Sequence, residues 1–158
     1  MCVALHATSK TEANILVLHV VYRAAPEHAY PAFVHDAVDF LALIFSGGHG
    51  LQETIGERVD VSRVAVGGVS AGGQLAAVAC LKVAEAGTGA RTATQPKPKL
   101  QMLFVPVIDS TAAVDGLWKT TRHSPWLTPE RMMWYVSGTE PLSLLTTQEM
   151  GARGVGHL

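Results

Sequence analysis

The most restrictive feature of the sequence is a glycine-rich turn between two segments of different pattern. Residues 63–67 fit a short strand with apolar residues at 64–66, and residues 71–86 are rich in the helix formers alanine and leucine. The turn between them, residues 67–73, contains four glycines. A chain that passes so abruptly from strand to helix needs residues that tolerate unusual backbone angles, which glycine does. The chain must therefore contain at least one tight β-turn-α unit.

The rest of the chain repeats this alternation of strands and helices. The pattern predicts a doubly buried strand over 14–22, a helix opened by Pro31, a strand over 100–108 and a helix capped by Thr128 that ends near Val136. Residues 1–13 are mixed and fit the end of a helix. The predicted fold class is α/β, with a mostly parallel sheet flanked by helices. Three strands are few for such a sheet, so we expect an incomplete domain that self-associates through its open edges.

Composition excludes several classes of protein. The chain has 158 residues, of which 48% are hydrophobic and 16% charged, with a formal net charge of −1. It is too apolar to be disordered, and it lacks the basic surplus that binds nucleic acid. The cysteines Cys2 and Cys80 have no zinc-ligand spacing. The apolar run near the N-terminus, residues 15–21, is too short to cross a membrane and is interrupted by His19. We expect no integral membrane segment and a cytoplasmic location.

The turn carries a motif with chemical meaning. Residues 68–72 fit the pattern G-x-S-x-G, with Ser70 at its centre and Val69 before it. A serine on a strained strand-to-helix turn projects its hydroxyl above the sheet, and we expect side chains at Gly68 and Gly72 to clash with neighbouring backbone. The following helix would point its N-terminus, with the Ala71 N–H, at an oxyanion. The alternative is a turn whose glycines are only structural. Neither the P-loop nor the dinucleotide-binding pattern fits.

Four segments resemble one family. Residues 22–28 resemble its Y-R-L-A-P-E-H segment, and residues 60–76 resemble D-x-x-R-I-A-V-G-G-D-S-A-G-G-N-L-A, which includes Gly73. Residues 104–109 resemble Y-P-V-L-D, and residues 127–135 resemble the L-T…M-x-W-F segment of the family's cap region. The segments occur in the family's order. On these motifs the chain resembles the hormone-sensitive-lipase-like branch of the α/β-hydrolases, a group of esterases and lipases.

The resemblance implies a reaction and a domain plan. It implies hydrolysis of a small acyl ester through an acyl-enzyme on Ser70, with no metal or organic cofactor. It also implies a partial α/β-hydrolase domain with a core over about 14–112 and a cap-type segment over about 113–138. An irregular tail, residues 139–158, would follow.

The chain departs from the family at the remaining catalytic parts. The family's oxyanion loop, H-G-G-G, has no counterpart in the expected place. In the family, the catalytic acid and then the histidine follow the serine along the chain, in the order Ser…Asp/Glu…His. After Ser70 this chain offers Asp109 and His157, although a loop-capping carboxylate and a solvated terminal histidine are the competing interpretations. The family's carboxylates before the serine and before the Tyr-Arg pair are replaced by Val69 and Val21. A non-catalytic binding remnant of the fold and a truncated gene product are therefore alternative hypotheses.

Some residues are expected to be structural. We expect His19 to be a buried core histidine, and His35 and Asp36 to be solvated on the polar side of a helix. His123 is expected in the cap loop. The chain has three tryptophans, which either line an acyl pocket or pack in the core: Trp118, Trp126 and Trp134.

Overall fold

The computed structural model describes residues 4–8, 15–46, 52–53, 60–86, 97–109 and 116–139. Its strands and helices include β1 (Ala4–Thr8), β2 (Val17–Val21), α1 (Ala32–Phe45), β3 (Ala65–Val69), α2 (Ala71–Ala86), β4 (Leu100–Phe104), a short 3₁₀ helix (Leu117–Thr121) and α3 (Pro129–Thr139). This order confirms the α/β class. None of the described helices is long and apolar enough to cross a membrane.

The chain divides into two units. The first comprises Met1–Arg23 with Phe33–Val107, and the second comprises Ala24–Ala32 with Ile108–Leu158. All four described strands lie in the first unit, while the 3₁₀ helix and α3 lie in the second. Of the tail predicted over 139–158, all but Thr139 lies outside the described residues.

The described strands pair in two ladders. β1 and β2 are antiparallel, with Ala4 opposite Val21, and β3 and β4 are parallel, with Val69 opposite Phe104. The parallel pair is connected through α2, as a parallel connection requires. The expectation of a helix end over 1–13 is wrong for residues 4–8, because their backbone pairs with β2 as a strand.

The two outer strand predictions need correction. β2 is not buried on both faces, since Val17 and Val21 are 48% and 42% exposed and the intervening residues alternate in burial. His19 is accordingly exposed rather than part of the core. β4 ends at Phe104 and not at 108, because Val105 adopts a left-handed backbone and Pro106 has no N–H to donate to a ladder.

Among the described residues, the apolar core of the first unit comes from one face of each of two helices. Leu41 and Ile44 of α1 are buried, and so are Leu75, Ala76 and Ala79 of α2. The spacing of three and four residues places each set on one side of its helix. Burial of a leucine or isoleucine side chain contributes about 1.5–3 kcal/mol. These buried residues are the described apolar core of the first unit.

A half-buried ion pair connects the segment after β2 to α1. Asp36 is 1% exposed and accepts hydrogen bonds from the Arg23 guanidinium at 2.7–3.2 Å. The Arg23 backbone N–H also donates to Oδ2 of Asp36 at 2.9 Å. The expectation that Asp36 is solvated is therefore wrong, because a partner distant in sequence satisfies its carboxylate. The hydrogen bond to Asp36 also raises the pKa of Arg23. His35 is exposed, as predicted.

The second unit contains the predicted helix cap. Thr128 Oγ1 accepts a hydrogen bond from the Arg131 N–H at 3.4 Å, and the Thr128 carbonyl accepts the first helical bond from Met132 at 3.0 Å. The cap confirms the predicted start of α3, which continues to Thr139. In the same unit the Tyr30 N–H donates to the Thr139 carbonyl at 2.7 Å.

Candidate active site

Ser70 is the single residue between β3 and α2. β3 ends at Val69 and α2 begins at Ala71, and Ser70 has a φ of 53°. A positive φ is uncommon for a residue other than glycine and marks strain that clusters at functional sites. Ser70 is also exposed. A strained turn thus presents this serine to solvent, which is the geometry that the predicted nucleophile elbow requires.

Backbone hydrogen bonds hold Ser70 on both sides. Its N–H donates to the Phe104 carbonyl of the neighbouring strand at 2.9 Å. Its carbonyl accepts the first helical bond of α2 from the Gln74 N–H at 3.1 Å. The strained residue is thus fixed between β4 and the start of α2.

The glycines of the motif have different roles. A Cβ atom at Gly68 would overlap the carbonyl of Gly72, so only glycine fits there, as predicted. A Cβ at Gly73 would lie 3.1 Å from Gly68 O and from Pro106 Cβ, which is tight. At Gly72 the prediction of a clash is wrong, because a Cβ there would meet nothing within 4 Å. Gly72 lies on the open side of the turn, so the five-residue pattern is sterically strict at only one of its two glycines.

The start of α2 supplies hydrogen-bond donors. The first N–H groups of a helix have no acceptor within the helix, and here they belong to Ala71, Gly72 and Gly73. Together with the helix dipole they favour negative charge at this end. Because the Ser70 N–H is already bonded to Phe104, the Ala71 N–H is the nearest donor in sequence for an anion formed at the serine. Ala71 is exposed.

Of the other two predicted triad residues, the structure describes Asp109 but not His157. Asp109 is exposed and belongs to the second unit, where it follows β4 by several residues rather than closing it. His157 lies outside the described residues. His123 is exposed in the second unit. Within the described ranges, no group of three His, Cys, Asp or Glu side chains could hold a metal ion.

The replaced carboxylate positions both lie on the surface. Val69 is 64% exposed directly before Ser70, and Val21 is 42% exposed at the end of β2. At such exposed positions a large apolar side chain gains little free energy from burial.

A cavity of about 970 Å³ lies within the first unit beside the turn. It is lined by β2 from Leu18 to Val20, by β3 from Ala65 to Val69, and by Gly72. Helix residues Leu41 and Leu75 also line it. In the described residues β2 pairs with β1 and β3 pairs with β4, so each of these strands has one edge without a partner strand.

Exposed aromatic residues form a cluster in the second unit. Trp126 and Trp134 are 73% and 69% exposed, so the core-packing alternative is wrong for both. The Arg131 guanidinium stacks 4.8 Å from the Trp126 ring centroid, and the rings of Trp134 and Tyr135 meet edge to face at 5.1 Å. Whether these side chains line an acyl pocket stays a prediction.

Sequence reasoning missed two residues beside the serine. Phe104 supplies the acceptor for the Ser70 N–H, and Val105 has the other positive φ among the described non-glycine residues, 41°. The one available signal was Pro106, which cannot continue a ladder and so indicates that the chain turns near the end of β4.

Comparison with known proteins agrees with this geometry. A family model for the alpha/beta hydrolase fold matches residues 4–142. The chain belongs to the α/β-hydrolase fold family. This membership confirms the resemblance that the four sequence segments indicated.

The relatives include esterases. The chain is 44% identical over 122 residues to the carboxylic ester hydrolase LipN of Mycobacterium tuberculosis, covering 73% of this chain and 30% of that protein. It is 37% identical over 126 residues to an AB hydrolase superfamily protein of Schizosaccharomyces pombe, covering 78% and 34%. The structure matches a bacterial heroin esterase with a TM-score of 0.65 and 29% identity, over 87% of this chain and 39% of that one. The chain thus spans about a third of the length of these relatives.

Proposed function

We propose that this chain is the nucleophile-bearing part of a serine hydrolase that acts on carboxylic esters. The observation that carries the proposal is the position of Ser70, alone between β3 and α2, exposed, with a φ of 53°. Relatives named as carboxylic ester hydrolases and esterases support the choice of ester substrates. The preferred substrate is an ester with a small acyl group.

The proposed reaction proceeds through an acyl-enzyme. A histidine base removes the Ser70 hydroxyl proton as Oγ attacks the ester carbonyl carbon, and the resulting oxyanion accepts a hydrogen bond from the Ala71 N–H. The alcohol departs with the proton as the carbonyl re-forms. Water then attacks acyl-Ser70, with the same base taking its proton, and releases the carboxylic acid. The reaction requires no metal or organic cofactor.

Two assignments exist for the histidine base and its acid. Because the family's motifs for the oxyanion loop, the acid and the histidine are not recognised in this sequence, the first assignment places the base and the acid on residues outside it. The second takes His157 as the base and Asp109 as the acid, in the order Ser…Asp…His. The second is tested by His157→Ala and Asp109→Asn, each of which would abolish activity only under that assignment.

A fluorophosphonate probe tests the nucleophile. An activated serine Oγ displaces fluoride at the phosphorus, so the probe reports activation without a chosen substrate. We expect labelling of the folded chain, its loss in Ser70→Ala, and its retention in Ser46→Ala, since Ser46 is an exposed serine at the end of α1. A folded sample without Ser70-dependent labelling would contradict the proposal.

A non-catalytic binding protein is the second candidate. The observation that favours it is Val69, which is 64% exposed next to Ser70 where the family usually has a carboxylate. Because the site is exposed, Val69→Asp is expected to fold. If the chain is an enzyme, this variant should label at least as fast as the wild type. If the probe labels Ser70 in neither the wild type nor Val69→Asp, the result supports the binding hypothesis.

We also propose that the chain self-associates through its open strand edges. Among the described strands, β2 and β3 each have one edge without a partner strand, which can accept a further strand, and β2 exposes the side chains of Val17 and Val21. Sedimentation over a range of concentrations should show oligomers in the wild type and fewer in Val17→Lys, because a charged edge opposes pairing. A monomer at all concentrations would contradict this proposal.

A further inference from the structure

Two strained residues lie side by side at the end of the parallel ladder. Val69 is opposite Phe104 in the register, so Ser70 and Val105 are the next residues on each strand. Their φ angles are 53° and 41°. For a β-branched residue such as valine a positive φ is a genuine outlier, since its Cβ substituents crowd the backbone. The strain at Ser70 belongs to the proposed nucleophile, whereas the strain at Val105 has no assigned role.

Burial of the Val105 side chain does not explain its conformation. This side chain is 78% exposed, so little packing would be lost if the backbone relaxed. A strained residue persists when its surroundings over-determine it. The cause is therefore to be found in the backbone on either side of Val105.

Both neighbours of Val105 are held against the turn. The Phe104 carbonyl accepts the Ser70 N–H at 2.9 Å. On the other side, Pro106 packs so closely on Gly73 that a Cβ there would lie 3.1 Å from Pro106 Cβ and 3.3 Å from Pro106 Cα. Val105, with its left-handed backbone, is the one residue between these two contacts.

We propose that Val105 is a positioning residue for Ser70. Its left-handed backbone directs the Phe104 carbonyl onto the Ser70 N–H and Pro106 onto Gly73, and so keeps the serine in its strained conformation. Because the Ser70 N–H is occupied by Phe104, the arrangement also reserves the Ala71 N–H for the oxyanion. The catalytic part of this inference rests on the proposed function of Ser70, but the backbone part does not.

Substitutions at position 105 can distinguish the effect of the backbone conformation from the effect of the valine side chain. Glycine and asparagine adopt the left-handed conformation readily, alanine less so, and proline cannot adopt it because its ring fixes φ near −65°. Alternate residues of a parallel ladder face the neighbouring strand, so the Phe104 carbonyl faces β3 and the Val105 N–H points away from it. Val105→Pro therefore removes no hydrogen bond to β3. Ile108→Pro is the matched control, at an exposed position without a positive φ.

Two measurements are made on each variant of the full chain. Hydrogen exchange resolved by NMR reports the Ser70 N–H directly, and the fluorophosphonate labelling rate reports its reactivity. In Val105→Pro we expect Ser70 exchange to accelerate, and labelling to slow, by at least about tenfold, with exchange in the core of α2 unchanged. Val105→Gly, Val105→Asn and Ile108→Pro should stay within about twofold of wild type in both measurements.

The outcomes distinguish the alternatives. Unchanged Ser70 exchange in Val105→Pro would overturn the proposal. Slow labelling in Val105→Gly and Val105→Asn with normal Ser70 exchange would also overturn it, because the valine side chain would then matter through substrate contact. If the wild type is not labelled at all, the proposed function fails, while the exchange measurements still decide whether Val105 positions Ser70.

Discussion

The connection from β3 to α2 consists of Ser70 alone, whereas the connection from β2 to α1 runs over residues 22–31. The short connection is held by backbone contacts, chiefly the close approach of Gly68 to Gly72 and the hydrogen bond from Ser70 to Phe104. The long connection is held near its start by side-chain chemistry, the ion pair of Arg23 with Asp36.

The difference concerns how far along the chain the stabilising partner lies. Gly68 and Gly72 are neighbours in a five-residue motif, so their contact is implied by the motif itself. Arg23 and Asp36 meet only when β2 and α1 are both formed. We therefore expect changes in the short turn to act sterically on the site, and changes in the long connection to act on the stability of the first unit.

The largest effect is expected from Gly68→Ala. The added methyl group would overlap the Gly72 carbonyl, and relief requires movement of backbone rather than of a flexible side chain. We expect a loss of about 3 kcal/mol in the free energy of unfolding, measured by urea denaturation, together with loss of Ser70 labelling. Gly138→Ala is the control, since a Cβ at this glycine of α3 meets nothing within 4 Å. Equal costs for the two variants would show that the turn is not sterically strict.

The next effect is expected from Asp36→Ala. The variant removes the acceptor for the Arg23 guanidinium and for its backbone N–H, and leaves a cavity at a position that is 1% exposed. We expect a loss of about 2–3 kcal/mol, moderated because the Arg23 side chain is 35% exposed and can recover water.

Asp39→Ala is the matched control for Asp36, because Asp39 lies on the same helix and is exposed. Ser70 labelling per folded molecule should be unchanged in both variants. A loss of labelling in folded Asp36→Ala would contradict the separation of the two connections.

A smaller effect is expected from Gly72→Ala. No atom opposes the new methyl group, and alanine favours a helix more than glycine does. The free energy of unfolding should therefore rise, by less than about 1 kcal/mol. Destabilisation of the size expected for Gly68→Ala would mean that both glycines of the motif are sterically required.

The smallest effect concerns the turn before β3, where Asp60 accepts hydrogen bonds from Ser62 and Arg63. These bonds, first of all that from the Ser62 hydroxyl, lower the pKa of Asp60. Its folded-state pKa is therefore below its unfolded value. The stabilisation is present above the ordinary carboxyl pKa of about 4 and is lost as the pH falls through the folded value.

The comparison of wild type with Asp60→Asn isolates this group from other carboxylates. At neutral pH the wild type should unfold at a higher urea midpoint than Asp60→Asn, and this difference should disappear in acid. The difference should be small, because the aspartate is 51% exposed and paired with an arginine in solvent. An advantage that grows below pH 4 would have the wrong sign for a depressed pKa.

The sequence by itself determined the features that depend on neighbours along the chain. The strand–turn–helix order around Ser70 and the start of α3 at its Thr128 cap agree with the structure, and α2 spans the predicted residues 71–86. Each depends on steric or hydrogen-bonding demands that are met within a few residues. The α/β class follows in the same way, because strand and helix periods are local patterns.

Tertiary structure decided the features whose partners are distant in sequence. Asp36 is buried because Arg23 satisfies it, residues 4–8 form a strand because β2 pairs with them, and β4 ends at Phe104, whose carbonyl accepts the Ser70 N–H. Charge and hydropathy patterns describe whether a residue by itself prefers water or the core. They do not show which distant residue it contacts in the fold. The pattern of a helix therefore predicts that its carboxylate is exposed to solvent. An arginine thirteen residues away can nevertheless pair with that carboxylate and allow it to be buried.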